Sequence, residues 1–237
     1  MEEKNKYIYG ASFDIGKKNF SFYIEKFNIE ELNNIKNIPK TKRYNDDGTC
    51  TEEMEQILEQ VYKNGETIFH INASIDQNCD ISKKLDPETF HNMNDFLDKY
   101  LNLFDLCDIV IIEEQMSFGK KFNKMAYKLG QHCYSYFTFK YGRTKKIYEF
   151  PAYHKTQILG APKIPGKPYK SGKTRWKAME KPARKKWSVA KSKEIMELRK
   201  DKQGLEEFRK TKKNDDKADT QCQFQAAKYL IYVDKTL

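Results

Sequence analysis

The sequence predicts an α/β protein built on one mixed sheet flanked by helices. Three observations lead there. Apolar residues alternate with polar ones early in the chain and recur at helical spacing later. A short, continuous apolar run, Asp108-Ile-Val-Ile-Ile-Glu113, separates two helical patterns. The elements follow the order three strands, helix, strand, helix, strand, helices, which implies a mixed sheet covered by helices. At 237 residues the chain suffices for one sizeable domain. The expectation is a single domain over 1–237 with a polar insertion at about 27–66 and a basic, proline-rich loop at about 161–187.

Residues 7–15 and 18–26 read as the first two strands, because Phe20, Phe22 and Ile24 alternate with Ser21, Tyr23 and Glu25. Between them Asp14-Ile-Gly16-Lys-Lys-Asn19 has the composition of a hairpin turn. Residues 27–66 are polar and rich in Asn, Lys and Glu, with one helix expected near 51–62. Glu66-Thr-Ile-Phe-His-Ile-Asn72 is the third strand. Asp86-Pro87-Glu88 starts a helix, with Asp as cap and Pro at the first helical position. Phe90, Met93, Leu97, Leu101 and Phe104 then follow at helical spacing. The run 108–113 is typical of a central strand covered on both faces. Residues 122–140 form the next helix, with Met125, Leu129, Tyr136 and Phe139 as core contacts. Lys145-Lys-Ile-Tyr-Glu-Phe150 is the last strand, stopped by Pro151. Residues 188–209 read as a charged helix and 215–232 as an amphipathic one.

Lys plus Arg number 44 against 34 Asp plus Glu, a net charge of +10. From Lys163 to Lys186 there are ten Lys or Arg and one acid, Glu180, so this stretch holds nearly the whole excess. That balance favours a polyanionic partner, nucleic acid ahead of a membrane surface. No apolar run approaches the roughly 20 residues that span a bilayer. The N-terminus Met1-Glu-Glu-Lys-Asn-Lys6 has no signal-peptide core, so an intracellular location is expected. Cysteines 50, 79, 107, 133 and 222 are irregularly spaced and form no Cys-x-x-Cys, which argues for reduced thiols and against structural zinc.

Four acids stand where strands end or a helix begins: Asp14, Glu113, Asp216 and Asp219. An ionised carboxylate directly after a buried apolar run is costly to desolvate. Taken singly, Asp14 could be a turn residue, and Asp216 and Asp219 a solvated helix start. Together they suit divalent cations, because Mg²⁺ prefers carboxylate oxygens and two-metal phosphodiester hydrolysis needs several of them. Asp216 and Asp219, at i and i+3, share one face of a helix.

These residues also carry a resemblance. Ser12-Phe-Asp14-Ile-Gly16-Lys-Lys-Asn19 resembles the first-strand motif of the poxvirus-type Holliday junction resolvases and their RuvC-like relatives. Ile112-Glu113-Glu114-Gln115 is similar to the Ile-Glu-x-Gln at the end of that group's central strand. Asp215-Asp216-Lys-Ala-Asp219 resembles the Asp-x-Ala-Asp opening its last helix. The resemblance covers residue 7 to about 232, departing at 27–66 and 161–187. It implies a ribonuclease H-like five-stranded mixed sheet, and Asp14, Glu113, Asp216 and Asp219 as ligands of two Mg²⁺ ions for which Mn²⁺ can substitute. Glu113 is chosen over Glu114 because the pattern leaves one residue before Gln115. Lys155, in Pro151-Ala-Tyr-His-Lys155, resembles the family lysine that follows the last strand and contacts the scissile phosphate, with His154 the competing candidate. The resemblance further implies a homodimer making paired, symmetric nicks in branched DNA at four-way junctions, and a viral origin permits a cytoplasmic replication site.

Lys120, Lys121, Lys124 and Lys128, interleaved with Phe118, Phe122 and Tyr127, suit backbone contact and base stacking as well as an ordinary solvated face. Lys173, Arg175, Arg184, Lys185 and Lys186, with Trp176 and Trp187 nearby, form the basic loop expected to touch DNA. Gly166 to Thr174 is not a phosphate-binding loop, since it lacks the glycine spacing and follows prolines rather than a strand. Two alternatives stay open: a related nuclease acting on RNA–DNA hybrids or flaps, and a non-catalytic basic nucleic-acid-binding protein.

Overall fold

Strand β1 (Tyr7–Asp14) runs into the turn Ile15–Asn19 and returns as β2 (Phe20–Asn28). The pairing is antiparallel, with Tyr7 opposite Asn28 and Asp14 opposite Ser21. Gly16 is required in that turn, because a Cβ there would stand 2.9 Å from the Asn19 carbonyl oxygen. The computed structural model describes residues 6–75, 85–115, 123–211 and 213–237. The chain divides into two compact units, residues 1–29 with 65–152 and residues 30–64 with 153–237.

The first unit holds the predicted sheet. β3 (Glu66–Ala73) adds antiparallel to β2, while β4 (Ile109–Glu114) and β5 (Lys146–Pro151) are parallel to β1 and to each other. The order β3-β2-β1-β4-β5, with only β2 reversed, is the ribonuclease H-like arrangement that the motifs imply. Crossovers carry the helices: α3 (Pro87–Asp98) and α4 (Leu101–Leu106) precede β4, and α5 (Lys124–Tyr141) joins β4 to β5. Asp86 caps α3 by accepting from Thr89 N–H at 2.9 Å, with Pro87 at the first position. The expected continuous helix to Phe104 breaks after Asp98, so Met93 and Leu97 reach the core from α3 and Phe104 from α4.

One sheet face packs on these helices through an aromatic cluster. The Phe13 ring lies 5.5 Å from Phe22, 5.5 Å from Phe104 and 5.0 Å from Phe137, centroid to centroid. Such pairs add about 0.5–1.5 kcal/mol each beyond their area burial. On α5 Leu129, Cys133 and Phe137 are buried in the core, and Met125 and Tyr136 pack against it as expected. Phe139, expected inside, is 94% exposed: helical phase places it opposite Phe137's side of the stripe.

In the second unit the polar segment supplies α1 (Ile29–Asn34, entering from the first unit) and α2 (Glu52–Lys63), which Thr51 caps. α6 (Ala152–Ile158) is followed by a hairpin of β6 (Lys163–Pro165) and β7 (Trp176–Ala178), then α7 (Lys181–Leu198), α8 (Lys202–Lys210) and α9 (Asp215–Lys228). The basic stretch is therefore a hairpin plus the first turns of α7 rather than one loop. The charged helix expected over 188–209 is two helices, broken where Lys200 takes φ +57° and Asp201 caps α8. The sequence predicts an amphipathic α9; instead it is buried on nearly every side from Thr220 to Lys228, because its polar groups find partners. Ser192 Oγ donates to Gln221 at 2.5 Å, and Arg199 donates to Gln225 at 3.1 Å. The buried Lys228 ammonium donates to the carbonyls of Val61 and Asn64 at the end of α2, 3.0 and 2.6 Å away. A cation suits that helix terminus. The chain then widens into a π-helical turn over Tyr229–Asp234.

Candidate active site and nucleic-acid interface

In the first unit, β1 and β4 end side by side. Phe13 is level with Ile112, so the next residues, Asp14 and Glu113, are level too. Phe13 and Ile112 point into the helix-covered core, and alternation sends Asp14 and Glu113 to the opposite face. Both are half-buried, whereas Glu114 is exposed. Lys17, in the turn after Asp14, is only 5% exposed, a burial that a turn position in the sequence does not announce.

In the second unit, the acidic motif opens α9. Asn214 precedes the helix and its carbonyl accepts from Ala218 N–H at 2.8 Å. Asp215, Asp216 and Asp219 occupy the first turn and a half, all half-buried. Each meets a lysine. Lys155, buried on α6, places Nζ 3.1 Å from Asp219 Oδ2. Lys213 lies 3.2 Å from Asp216, and Lys185 on α7 pairs with Asp215 and stands 4.0 Å from Asp216. Burial works to raise the Asp215 carboxyl, but the hydrogen bond and charge of Lys185 outweigh it and hold Asp215 below the usual carboxylate range. Burial likewise opposes the Lys185 charge, yet Asp215, then Asp216 and Asp219, keep its ammonium above the ordinary lysine value. The structure thus brings Lys155 to Asp219, a contact that neither the motifs nor their spacing announces. It also gives Lys185 a carboxylate role that its place in a basic run conceals, since its partners are some 30 residues away in sequence.

The donor chemistry of both pairs fits a hard divalent cation: carboxylate oxygens, half-buried, two to a pair. Among the described residues no group of three or more His, Cys, Asp or Glu side chains is arranged to hold a metal ion.

The expected nucleic-acid cations divide similarly. Lys124 and Lys128 are exposed on the first turns of α5; Lys120 and Lys121 lie outside the described residues. Lys173 and Arg175 are exposed on the β6–β7 hairpin, and Arg184 and Lys186 on α7. A cleft of about 560 Å³ opens beside Asp215, lined by Lys185, Lys186, Lys193 and Arg209 over the apolar Val189 and Phe208. No described helix is long and apolar enough to cross a membrane.

No protein-family model matches the chain. It is 32% identical over 251 residues to the uncharacterized protein 170L of Invertebrate iridescent virus 6, covering 99% of this chain and 94% of that protein. It is 27% identical over 230 residues to the uncharacterized protein 97L of Invertebrate iridescent virus 3, covering 91% of this chain and 97% of that one. Among solved structures it is similar to fowlpox virus resolvase in complex with substrate Holliday junction DNA, with a TM-score of 0.49 and 15% identity over 94% of this chain and 99% of that chain.

Proposed function

This chain belongs to the family of the iridescent-virus 170L protein, and we propose that it is a metal-dependent DNA endonuclease that resolves four-way junctions by paired nicks as a homodimer. The observation that carries the proposal is the state of the four acids chosen from the motifs. All four are half-buried at strand or helix ends, in two pairs, and a buried lysine is held against one of them. A half-buried carboxylate is costly to desolvate, and four of them at the positions of the three motifs, in the motifs' order, are better accounted for as ligands than as separate turn or cap residues. The ribonuclease H-like strand order and the net charge of +10 support the same reading.

In this reading Asp14, Glu113, Asp216 and Asp219 are the oxygen donors for Mg²⁺. Bound divalent cations would supply an activated water and offset the charge that builds on the leaving oxygen. Lys155 orients the Asp219 carboxylate through their 3.1 Å contact and offers a fixed positive charge to the phosphate. Exposed lysines and arginines hold the sugar-phosphate backbone without reading sequence. Two sites related by a two-fold axis match a substrate of near two-fold symmetry.

The test compares a four-way junction, an RNA–DNA hybrid and a plain duplex in Mg²⁺. The junction is expected to be cut fastest, and Asp219→Asn is expected to abolish cutting while retaining or tightening junction binding. Lys155→Ala should slow cleavage by about a hundredfold. Turnover in excess chelator overturns the metal dependence. On a cruciform plasmid, coordinated nicking yields linear product directly; accumulation of open circles, or a monomer at working concentration, removes the paired-nick reading. Faster cutting of the hybrid replaces it with a general ribonuclease H-like activity, since the same carboxylates serve other nucleases.

A further inference from the structure

The β6–β7 hairpin carries none of the four candidate carboxylates, and it is a regular antiparallel ladder. Ile164 pairs with Lys177 and Pro165 with Trp176. The ladder continues beyond these strands: Gly166 N–H donates to the Arg175 carbonyl at 2.6 Å, and Tyr169 N–H to the Lys173 carbonyl at 2.9 Å. The tip closes as Gly172 N–H donates to the Tyr169 carbonyl at 2.9 Å, with Gly172 at φ +77°, the left-handed position that a three-residue hairpin loop calls for. Residues 163–178 contain six Lys or Arg and no acid. They are exposed throughout except at Gly166, and three large apolar side chains are left in water: Ile164 at 38%, Tyr169 at 55% and Trp176 at 36%. The Arg175 guanidinium lies 5.9 Å over the Tyr169 ring. Alternation groups Arg175, Lys177 and Ile164 on one face, and the cation–ring contact brings Tyr169 to it.

An exposed ring among cations is a poor surface for water but a good one for an unpaired nucleotide. The ring offers a stacking face, the guanidinium a cation–π partner and the lysines countercharges for phosphates. A regular duplex would use the lysines alone, because its base faces are already stacked. We infer that the β6–β7 hairpin is a finger for unpaired nucleotides, with Tyr169, steadied by Arg175, stacking on an open base while Lys170 and Lys173 hold the adjoining phosphates. This deepens the nuclease reading and rests on it, since a branch point is where such nucleotides occur.

The experiment measures binding of the full chain, in chelator so that strands stay intact, to a single strand, a duplex and a junction carrying 2-aminopurine at the crossover. Tyr169→Ala is expected to weaken binding to single strand and junction by about tenfold, change duplex binding less than twofold, and abolish quenching of 2-aminopurine. Tyr169→Phe should behave as wild type. Equal losses on all three DNAs, or no loss on any, overturn the finger. So does a loss confined to anionic phosphatidylserine vesicles, which would make the hairpin a membrane contact. Junction cleavage by wild type in Mg²⁺, run alongside, separates the two readings. If wild type cuts nothing while Tyr169→Ala still shows the selective loss, the nuclease reading falls and the finger stands. If wild type cuts and Tyr169→Ala binds normally, the reverse holds.

Discussion

Asp234 accepts from Arg43 at 2.5 Å and from Asn37 and Thr236 at 2.9 Å each. Both members of the ion pair are more than nine-tenths buried. Burial alone would raise this carboxyl, but the Arg43 hydrogen bond and charge, with Thr236 and Asn37, hold it below its ordinary 3.8. A carboxyl whose folded pKa is depressed stabilises the fold at every pH above its unfolded value, and that contribution is lost as pH falls through the folded pKa. Wild-type stability is therefore expected to begin falling below about pH 4. Asp234→Asn should be about 3 kcal/mol less stable at neutral pH, because it leaves Arg43 without a countercharge, and its stability should vary less with pH in the acid range. Urea melts from pH 7 to pH 2 check both; a variant with the wild-type acid slope would show that other carboxylates carry the effect. Lys185 makes the same point in the opposite direction. Its lysine neighbours suggest a phosphate-binding role, but its closest partner is a carboxylate.

At the scale of elements, the break between α7 and α8 turns on Lys200. Its φ of +57° places a side-chain-bearing residue in the left-handed region, where glycine has no penalty. Lys200→Gly is expected to stabilise the protein by about 0.5–1 kcal/mol, the relief of strain less the larger entropy that glycine loses on folding. Chemical denaturation at constant m-value measures it, and a loss of stability would mean that the lysine stem contributes more than the strain costs. Helix α2 shows a second device. Its final carbonyls are taken by the Lys228 ammonium, and the Tyr62 carbonyl by Arg199 Nε at 2.5 Å, so a polar segment from early in the chain is fastened to helices close to its end.

For the whole molecule, the net charge of +10 predicts salt-dependent, sequence-independent binding to DNA. Arg184 and Lys186 are the residues on which to test it, because both are exposed on α7 while Lys185 between them is committed to Asp215. Replacing both by Ala should weaken duplex binding and make the log–log salt slope shallower by about two units, one for each phosphate no longer neutralised. An unchanged slope would assign this face of α7 to something other than phosphate.

The strand ends, the apolar face of Phe20, Phe22 and Ile24 and the Asp-Pro helix start are legible in the sequence because each depends on local chemistry: alternation, or a cap with proline behind it. Asp14 and Glu113 can be selected because a charge following an apolar run is visible without coordinates, and sheet register then sets them level. The α7–α8 break has a signal in Asp201-x-x-Gly204, but a run of strong helix formers masks it. Phe139 departs from expectation because aromatic type suggests burial where helical phase decides it. What spacing could not give is every relation across long separations: Lys155 against Asp219, Lys185 against Asp215, and the 30–64 segment joined to the C-terminal helices in one unit. Local patterns fix how a segment folds, since backbone hydrogen bonds and alternation act within a few residues. Which buried charge meets which countercharge is settled only when desolvation forces distant side chains to find partners in the packed chain.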